Sequence, residues 1–319
     1  DAGNGDLHLS PGSPVIDSGN NAAPYLPLID YEGDMRIIDG DGNGIPIVDM
    51  GVDETQFEPY IPGIIYVDQD ATGANTGTSW TDAFTALPQA LDSARSGDQI
   101  WVAEGTYIPT ADGNRFKSFR MINEVAIYGG FDPSIGAVTW EDRNWKNHET
   151  ILSCDLNGDD GPDFANNTEN CYHVFYHPAS ITLNDTALLD GFTITGGNAD
   201  GNYTHIFGGG MYNDGASPNL SNCTFSGNNA YDGGGMYNDG SSPTIADCAF
   251  IGNTASFGSG MTNNYNSSPT LTHCLFSNNT GASDGGGMSN YSYSSPTVNG
   301  CMFLNNSASE GGGMHNDLY

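Results

Sequence analysis

A six-residue signature recurs five times in the last third of the chain and restricts the fold more than any other feature. Gly208-Gly209-Gly210-Met211-Tyr212-Asn213 returns as Gly233-Gly234-Gly235-Met236-Tyr237-Asn238, and again, loosened, over 258–263, 285–290 and 311–316. The offsets between copies are 25, 25, 27 and 26 residues. A period in the range of about 20–50 residues marks a solenoid, a propeller or an array of repeated units.

The residues between signatures decide among these. Met211 is followed by Leu220, Cys223 and Phe225, and the series repeats as Met236, Ile245, Cys248, Phe250. It continues as Met261, Leu271, Cys274, Phe276, then Met288, Val298, Cys301, Phe303, with Met314 opening a fifth copy. Cys and Phe lie two apart and share one face of a strand, whereas the aliphatic residue three before Cys breaks the alternation and implies a bend. The position after each Met varies freely, as Tyr212, Tyr237, Thr262, Ser289 and His315. Constant inward and variable outward positions are what stacked coils require. Strands about 4.8 Å apart would then bury Met, aliphatic, Cys and Phe columns. Asn213, Asn238, Asn263, Asn290 and Asn316 form a further column, whose amides are expected to hydrogen-bond from coil to coil. The expected fold is all-β, a right-handed parallel β-helix with three-strand coils of about 25 residues.

The rest of the chain is read around that core. Residues 1–62 look like the end of a domain, with EPYIPG (58–63) as the junction. Residues 63–98 restart as an N-terminal cap, 99–187 hold irregular coils, and 188–319 hold the regular repeats. Trp80, Phe84, Leu87, Leu91 and Ala94 fall at helical spacing, which predicts a capping helix near residues 79–96. Ser79 is its candidate N-cap with Asp82 as capping-box partner, and Pro88 is expected to kink it or divide it in two. Such a helix would cover the open first coil and its exposed sheet edge.

GGGMYN…SPT…NCTFSGN resembles the repeats of bacterial β-helical surface proteins, the group that includes polymorphic outer-membrane-protein repeats. YVDQDATGANTGTSWTDAFTALPQALDSARSGDQIWVAEGTYIPT is similar to the N-terminal cap of that family, and DLHLSPGSPVIDSG…DMGVDE resembles the closing coil of its choice-of-anchor members. The resemblance implies secretion and an extracellular or cell-surface structural role, with no shared catalytic site. The closing segment comes first here and the repeats stop in mid-coil at Met314-His315-Asn316-Asp317-Leu318-Tyr319. The order is permuted relative to one complete domain. That predicts an assembly end at Met314, His315, Asn316, Leu318 and Tyr319, met head-to-tail by a copy of the chain or by an adjacent domain of a longer one. The opening DAGNGDLHLS is neither basic nor apolar and reads as the start of a mature or excised segment.

Charge narrows the partners. Seven Lys and Arg stand against 39 Asp and Glu, a formal net charge of −32, and every basic residue lies at or before Lys146. Such a surface repels phosphate backbones, so nucleic acid is not an expected partner. No apolar run approaches the ~20 residues of a membrane span.

Several groups are candidate sites. Cys223, Cys248, Cys274 and Cys301 share a core column and read as buried free thiols, although adjacent coils would bring them within disulfide range. Cys154 and Cys171 lie outside that register and are candidates for a bridge. Asp39, Asp41 and Asn43 form the first half of an oxygen-ligand loop without its terminal Glu, and Asp155, Asn157 and Asp159 begin a second, with Asp160 and Asp163 beyond. Both are candidate calcium sites. Asn-x-Ser/Thr sequons recur through the repeats and leave glycosylation open.

An enzyme is not expected. A β-eliminating site needs a proton acceptor beside bridged carboxylates, and the regular coils hold no Lys or Arg. A hydrolase needs converging carboxylates, whereas Asp232, Asp239, Asp247 and Asp284 occupy different columns. The expected role is a filament or sheath subunit or a segment of a giant surface adhesin. The alternative is a carbohydrate-binding or polysaccharide-cleaving β-helix with glycans as partners.

Overall fold

The computed structural model describes residues 13–14, 16–23, 26–28, 35–37, 45–48, 60–136 and 138–317. The chain divides into two compact units, Asp1–Ile61 and Pro62–Tyr319. Most of the segment read as a closing coil, together with Asp39, Asp41, Asn43, Leu318 and Tyr319, lies outside the described residues. In the first unit, Gly19 N–H donates to Val48 O at 2.8 Å and Val48 N–H to Asn21 Oδ1 at 2.8 Å.

The second unit is a parallel β-solenoid. One eight-stranded sheet runs from Ile64–Val67 through Gln99–Ala103 and Ala126–Phe131 to Thr297–Asn299 and carries the aliphatic column. A seven-stranded sheet carries the Phe column and a six-stranded sheet the Met column. Register is strict: Met211 pairs with Met236, then Met261, Met288 and Met314, and Phe225 with Phe250, Phe276 and Phe303. Identical residues therefore stack. The four Phe rings lie 4.8, 4.7 and 4.8 Å apart with planes within 6°, and Met211, Phe225, Phe250 and Phe276 are wholly buried.

The coils have four sides where three were expected. A short fourth sheet pairs Asn198–Ala199, Asn229–Ala230, Thr254–Phe257 and Thr280–Asp284. Its first members are two residues long, too short for periodicity to register.

The bend before each Cys is left-handed, at Asn222 (φ 53°), Asp247 (52°), His273 (54°) and Gly300 (62°). Asn, Asp, His and Gly are the residues that tolerate that region, which accounts for their exchange at one column. In the signature, the first glycine turns the chain (Gly233, φ 69°). The third admits a neighbouring backbone: a Cβ on Gly235 would stand 2.5 Å from Gly260 O.

Two ladders of buried amides run along the coils. In the expected one, Asn213 Nδ2 donates to Asn238 Oδ1 (2.9 Å), Asn238 to Asn263 (2.9 Å), Asn263 to Asn290 (2.8 Å) and Asn290 to Asn316 (2.7 Å). His177 closes its beginning, with Nδ1 donating to Asn213 Oδ1 at 2.8 Å and Nε2 accepting Met121 N–H at 3.1 Å. A second ladder joins Asn228, Asn253, Asn279 and Asn306 at 3.0, 3.0 and 2.9 Å. Each of its three Oδ1–Nδ2 links is doubled by a backbone amide, as where Asn228 N–H donates to Asn253 Oδ1 at 3.1 Å. The buried amides of the two ladders thus have partners, which a packed polar column needs.

The capping helix is shorter than its pattern implied. It spans Leu87–Ser93, with Pro88 in its first turn and no side-chain cap. Proline is tolerated there because the first N–H groups have no helical partner, so it starts the helix and neither kinks nor divides it. Residues 79–86 form turns instead: Ser79 Oγ donates to Asp82 Oδ2 at 3.3 Å and takes Asp82 N–H at 3.1 Å. The second of these is one bond of a capping box, but the Asp82 carboxylate takes the Ser79 hydroxyl in place of its backbone amide, and Phe84 pairs with Val67 and holds the chain extended. Leu87, Ala90 and Leu91 face the core.

The insertion over 132–149 covers the outside of the first coils. Trp101 and Phe131 stack at 4.7 Å, with Trp80, Tyr66 and Trp140 against them. The Arg143 guanidinium enters this cluster, 5.3 Å from the Trp140 ring and 5.2 Å from Tyr128, and pairs with Asp190.

Candidate functional site

The strongest convergence of titratable groups lies outside the regular repeats. Strand Ile64–Val67 delivers Asp68, strand Gln99–Ala103 delivers Glu104, and strand Ala126–Phe131 delivers Asp132. The strands are neighbours in one sheet, so their C-terminal ends bring these carboxylates to one rim. They line a cleft of about 690 Å³ with Asp70, Ser79 and Trp80. His148 returns from the insertion to place Nδ1 2.9 Å from Glu104 Oε2 and 3.7 Å from Asp132 Oδ2.

The carboxylates are tuned apart. Burial raises Asp68 above its ordinary range, and the charges of Asp70 and Asp132 add to the effect. The Ser134 hydroxyl and amide hold buried Asp132 below that range, with His148 contributing. Carboxylates pushed in opposite directions beside an aromatic wall are the ingredients of proton transfer on a sugar. No spacing in the sequence announces this group, because its members come from three coils and an insertion.

A second cluster joins Asp284, Glu310 and His315, whose ligand atoms lie within 4.8 Å of one another. Asp284 pairs with Glu310 between coils, and its Oδ2 accepts the Tyr291 hydroxyl at 3.2 Å. Of the predicted assembly end, Met314 packs on the core, His315 joins this carboxylate pair and Asn316 ends the first amide ladder.

The cysteine column is unbridged. Cys223, Cys248 and Cys274 are buried free thiols and Cys301 is half-buried. Each sulfur meets backbone: Cys223 N–H lies 3.4 Å from Cys248 Sγ and Cys274 N–H 3.3 Å from Cys301 Sγ. Burial pushes Cys274 up to about 12 and Cys248 well above the usual thiol range, so neither is a nucleophile. Cys154 and Cys171 are likewise free, buried and adjacent.

Of the candidate calcium loop, Asp155 and Asp159 converge, and Glu169 joins them, with one carboxylate oxygen of each residue within 4.8 Å of the others. The D-x-N-x-D pattern pointed along the loop, whereas Glu169 reaches the cluster from the returning arm.

Among the regular coils, Asp232 is also displaced. Burial raises it to about 7 even though Thr262 Oγ1 donates to its Oδ1 at 2.5 Å, and Asp284 adds repulsion.

Comparison with known proteins agrees with this architecture. Residues 164–317 match the family described as "Right handed beta helix region". The coils are those of a right-handed parallel β-helix. Among solved structures, a rhamnogalacturonan lyase is 13% identical with a TM-score of 0.40, covering 81% of this chain and 62% of its own. The chain thus spans less than two thirds of that protein's length. A pectin methylesterase from Aspergillus niger is 15% identical with a TM-score of 0.29, over 79% of this chain and 88% of its own. Likenesses this distant carry no functional argument. No curated protein matches the chain. Among the described residues, no helix is long and apolar enough to cross a membrane.

Proposed function

We propose that this β-helix is a structural element of an extracellular or cell-surface assembly, extended by further coils that dock in register on its last described coil. One observation carries the reading. Val298 is 37% exposed where Leu271, one coil earlier in the same column, is wholly buried, and Phe303 and Met314 are less covered than Phe276 and Met288. Thr297–Asn299, Met302–Leu304 and Met314–Asn316 are also the outer members of their three sheets among the described residues. Their free backbone groups form a template for parallel strands. The occupant that fits is a coil with the same columns: apolar over Val298, aromatic over Phe303, and Asn over Asn306 and Asn316. The resemblance of residues 1–20 to a closing coil makes a second copy of this chain a suitable source, in an open-ended head-to-tail contact.

Sedimentation equilibrium over rising protein concentration tests this. Association is expected, and Val298→Asp should weaken it. A single monomeric species throughout would remove the reading.

A second reading rests on the cleft of Asp68, Glu104, Asp132 and Trp80, which supports binding or cleavage of a glycan. Its four acidic groups, Asp68, Asp70, Glu104 and Asp132, favour a neutral or amino sugar over an acidic polysaccharide. Titration with neutral oligosaccharides, followed by Trp fluorescence, should give a saturable change that Asp68→Asn reduces. The absence of both a fluorescence change and cleavage would dispose of it.

A further inference from the structure

Residues 155–170 form a loop that leaves the solenoid and returns at one point. Cys171 N–H donates to Cys154 O at 3.1 Å, and both cysteines are fully buried, which closes the base. Asp155 organises the outgoing arm. Its Oδ1 accepts the amides of Gly158 (2.7 Å) and Asp159 (3.1 Å), and its Oδ2 that of Asp160 (3.1 Å). These bonds are turn chemistry and identify no ligand.

The returning arm points to one. Glu169 Oε1 and Asn170 Oδ1 are both shielded from solvent, and neither accepts a hydrogen bond. Asn170 is 1% exposed, and its amide is turned into the loop, with Nδ2 donating to Asp160 Oδ2 and to Gly196 O, each at 2.7 Å. Two buried acceptors on consecutive residues thus lack donors, and the first of these residues, Glu169, stands with the carboxylates of Asp155 and Asp159. Burying such groups uncompensated costs on the order of several kcal/mol, more where charges repel. A proton on Glu169 would satisfy that residue alone. A cation would answer the whole set.

We propose that Asp155, Asp159 and Glu169 bind a calcium ion that fixes this loop to the solenoid, with the orphaned Asn170 side-chain carbonyl as a further ligand. The donors are all oxygen, which selects a hard cation, and no sulfur or imidazole joins the trio. Their oxygens lie within 4.8 Å of one another, close enough for one ion to touch all three. Calcium accepts irregular cages of protein oxygens, whereas magnesium demands a near-ideal octahedron and usually keeps several waters. Asp159 faces solvent, so water can complete the six to eight ligands that calcium takes. The ion would bind independently of any docking at the last coil.

Calorimetric titration of the chelator-treated 319-residue chain with calcium chloride tests the site, paired with hydrogen exchange across residues 155–170. Glu169→Gln and Asp159→Asn are suitable variants, because neither side chain makes one of the bonds that fold the loop. Calcium is expected to bind and to slow exchange in the loop, and each variant to weaken that binding roughly tenfold or more. The proposal is overturned if calcium does not bind. It is equally overturned if binding and loop exchange are the same in both variants, or if calcium binds while loop exchange stays unchanged, as it would for an ion held elsewhere.

Discussion

Asn253 Nδ2 donates to Asn279 Oδ1 at 3.0 Å, joining residues 26 apart in sequence and one coil apart in space. The same Asn253 accepts both the backbone and the side-chain amide of Asn228, and it donates to Phe225 O at 2.9 Å. It is the middle of a ladder in which each side chain replaces backbone pairing that the turn cannot supply. Asn253→Ala would remove those four side-chain bonds and leave the buried Asn228 backbone amide without its acceptor. The expected cost is about 3 kcal/mol or more, measured by urea denaturation. Ser242→Ala, at an exposed turn, should cost well under 1 kcal/mol and serves as the control.

The third glycine of each signature is a steric requirement. A Cβ on Gly235 would meet Gly260 O at 2.5 Å and Phe250 Cδ1 at 3.0 Å. Gly235→Ala is expected to destabilise by about 1–3 kcal/mol or more, because two coils must separate to admit it. Gly215, unlike Gly235, has positive φ (72°), and open space surrounds its absent Cβ. Gly215→Ala should cost only the backbone strain, about 1 kcal/mol. Thermal melts of the two variants separate these effects.

Stability should fall in mild acid through two histidines. Burial lowers His173 and His177 to about 4, against about 6.5 in an unfolded chain. Below pH 6.5 the unfolded state takes up protons that the folded state refuses, so stability is lost as pH falls from about 6.5 to 4. The loss is on the order of 3 kcal/mol for each residue. Protonation at Nε2 would cost His177 its bond from Met121 N–H and leave a charge at the head of the ladder, while Nδ1 still donates to Asn213 Oδ1. Denaturant midpoints measured across that window check the slope, and His177→Gln should flatten part of it.

Asp232 acts in the opposite direction. Its carboxyl, raised by burial to about 7, is near 3.9 in an unfolded chain. The folded state therefore holds a proton that the unfolded state releases, and stability falls as pH rises from about 4 to 7. Asn in its place can still accept from Thr262. Asp232→Asn is expected to stabilise the protein by roughly 1–2 kcal/mol at pH 8 and to have little effect at pH 4, once its partial exposure is allowed for. Melting temperatures at the two pH values decide it.

The sequence carried the interior of the regular coils in full view. Met, aliphatic, Cys and Phe columns repeat because each inward position meets its own counterpart one coil away, so geometry writes itself into spacing. The second amide ladder was also present, as Asn228, Asn253, Asn279 and Asn306 at 17 or 18 residues after each Met. It was obscured because Asn is common in turns. The fourth strand was hidden by its length. The helix was overdrawn because Trp80 and Phe84 are apolar for a different reason: they pack on Tyr66, Phe131 and Val67 outside any helix. The cleft of Asp68, Glu104, Asp132 and His148 had no signature, since tertiary stacking alone unites residues so far apart. Glu169 was missed because a linear ligand pattern cannot represent a loop that folds back on itself.

Docking of another coil in register on the last described coil is decided by small-angle X-ray scattering over a concentration series, because scattering separates length from thickness. Association is expected to lengthen the particle at constant cross-section, and Val298→Asp to abolish that lengthening. A profile unchanged with concentration, or association that thickens the cross-section, would overturn such docking.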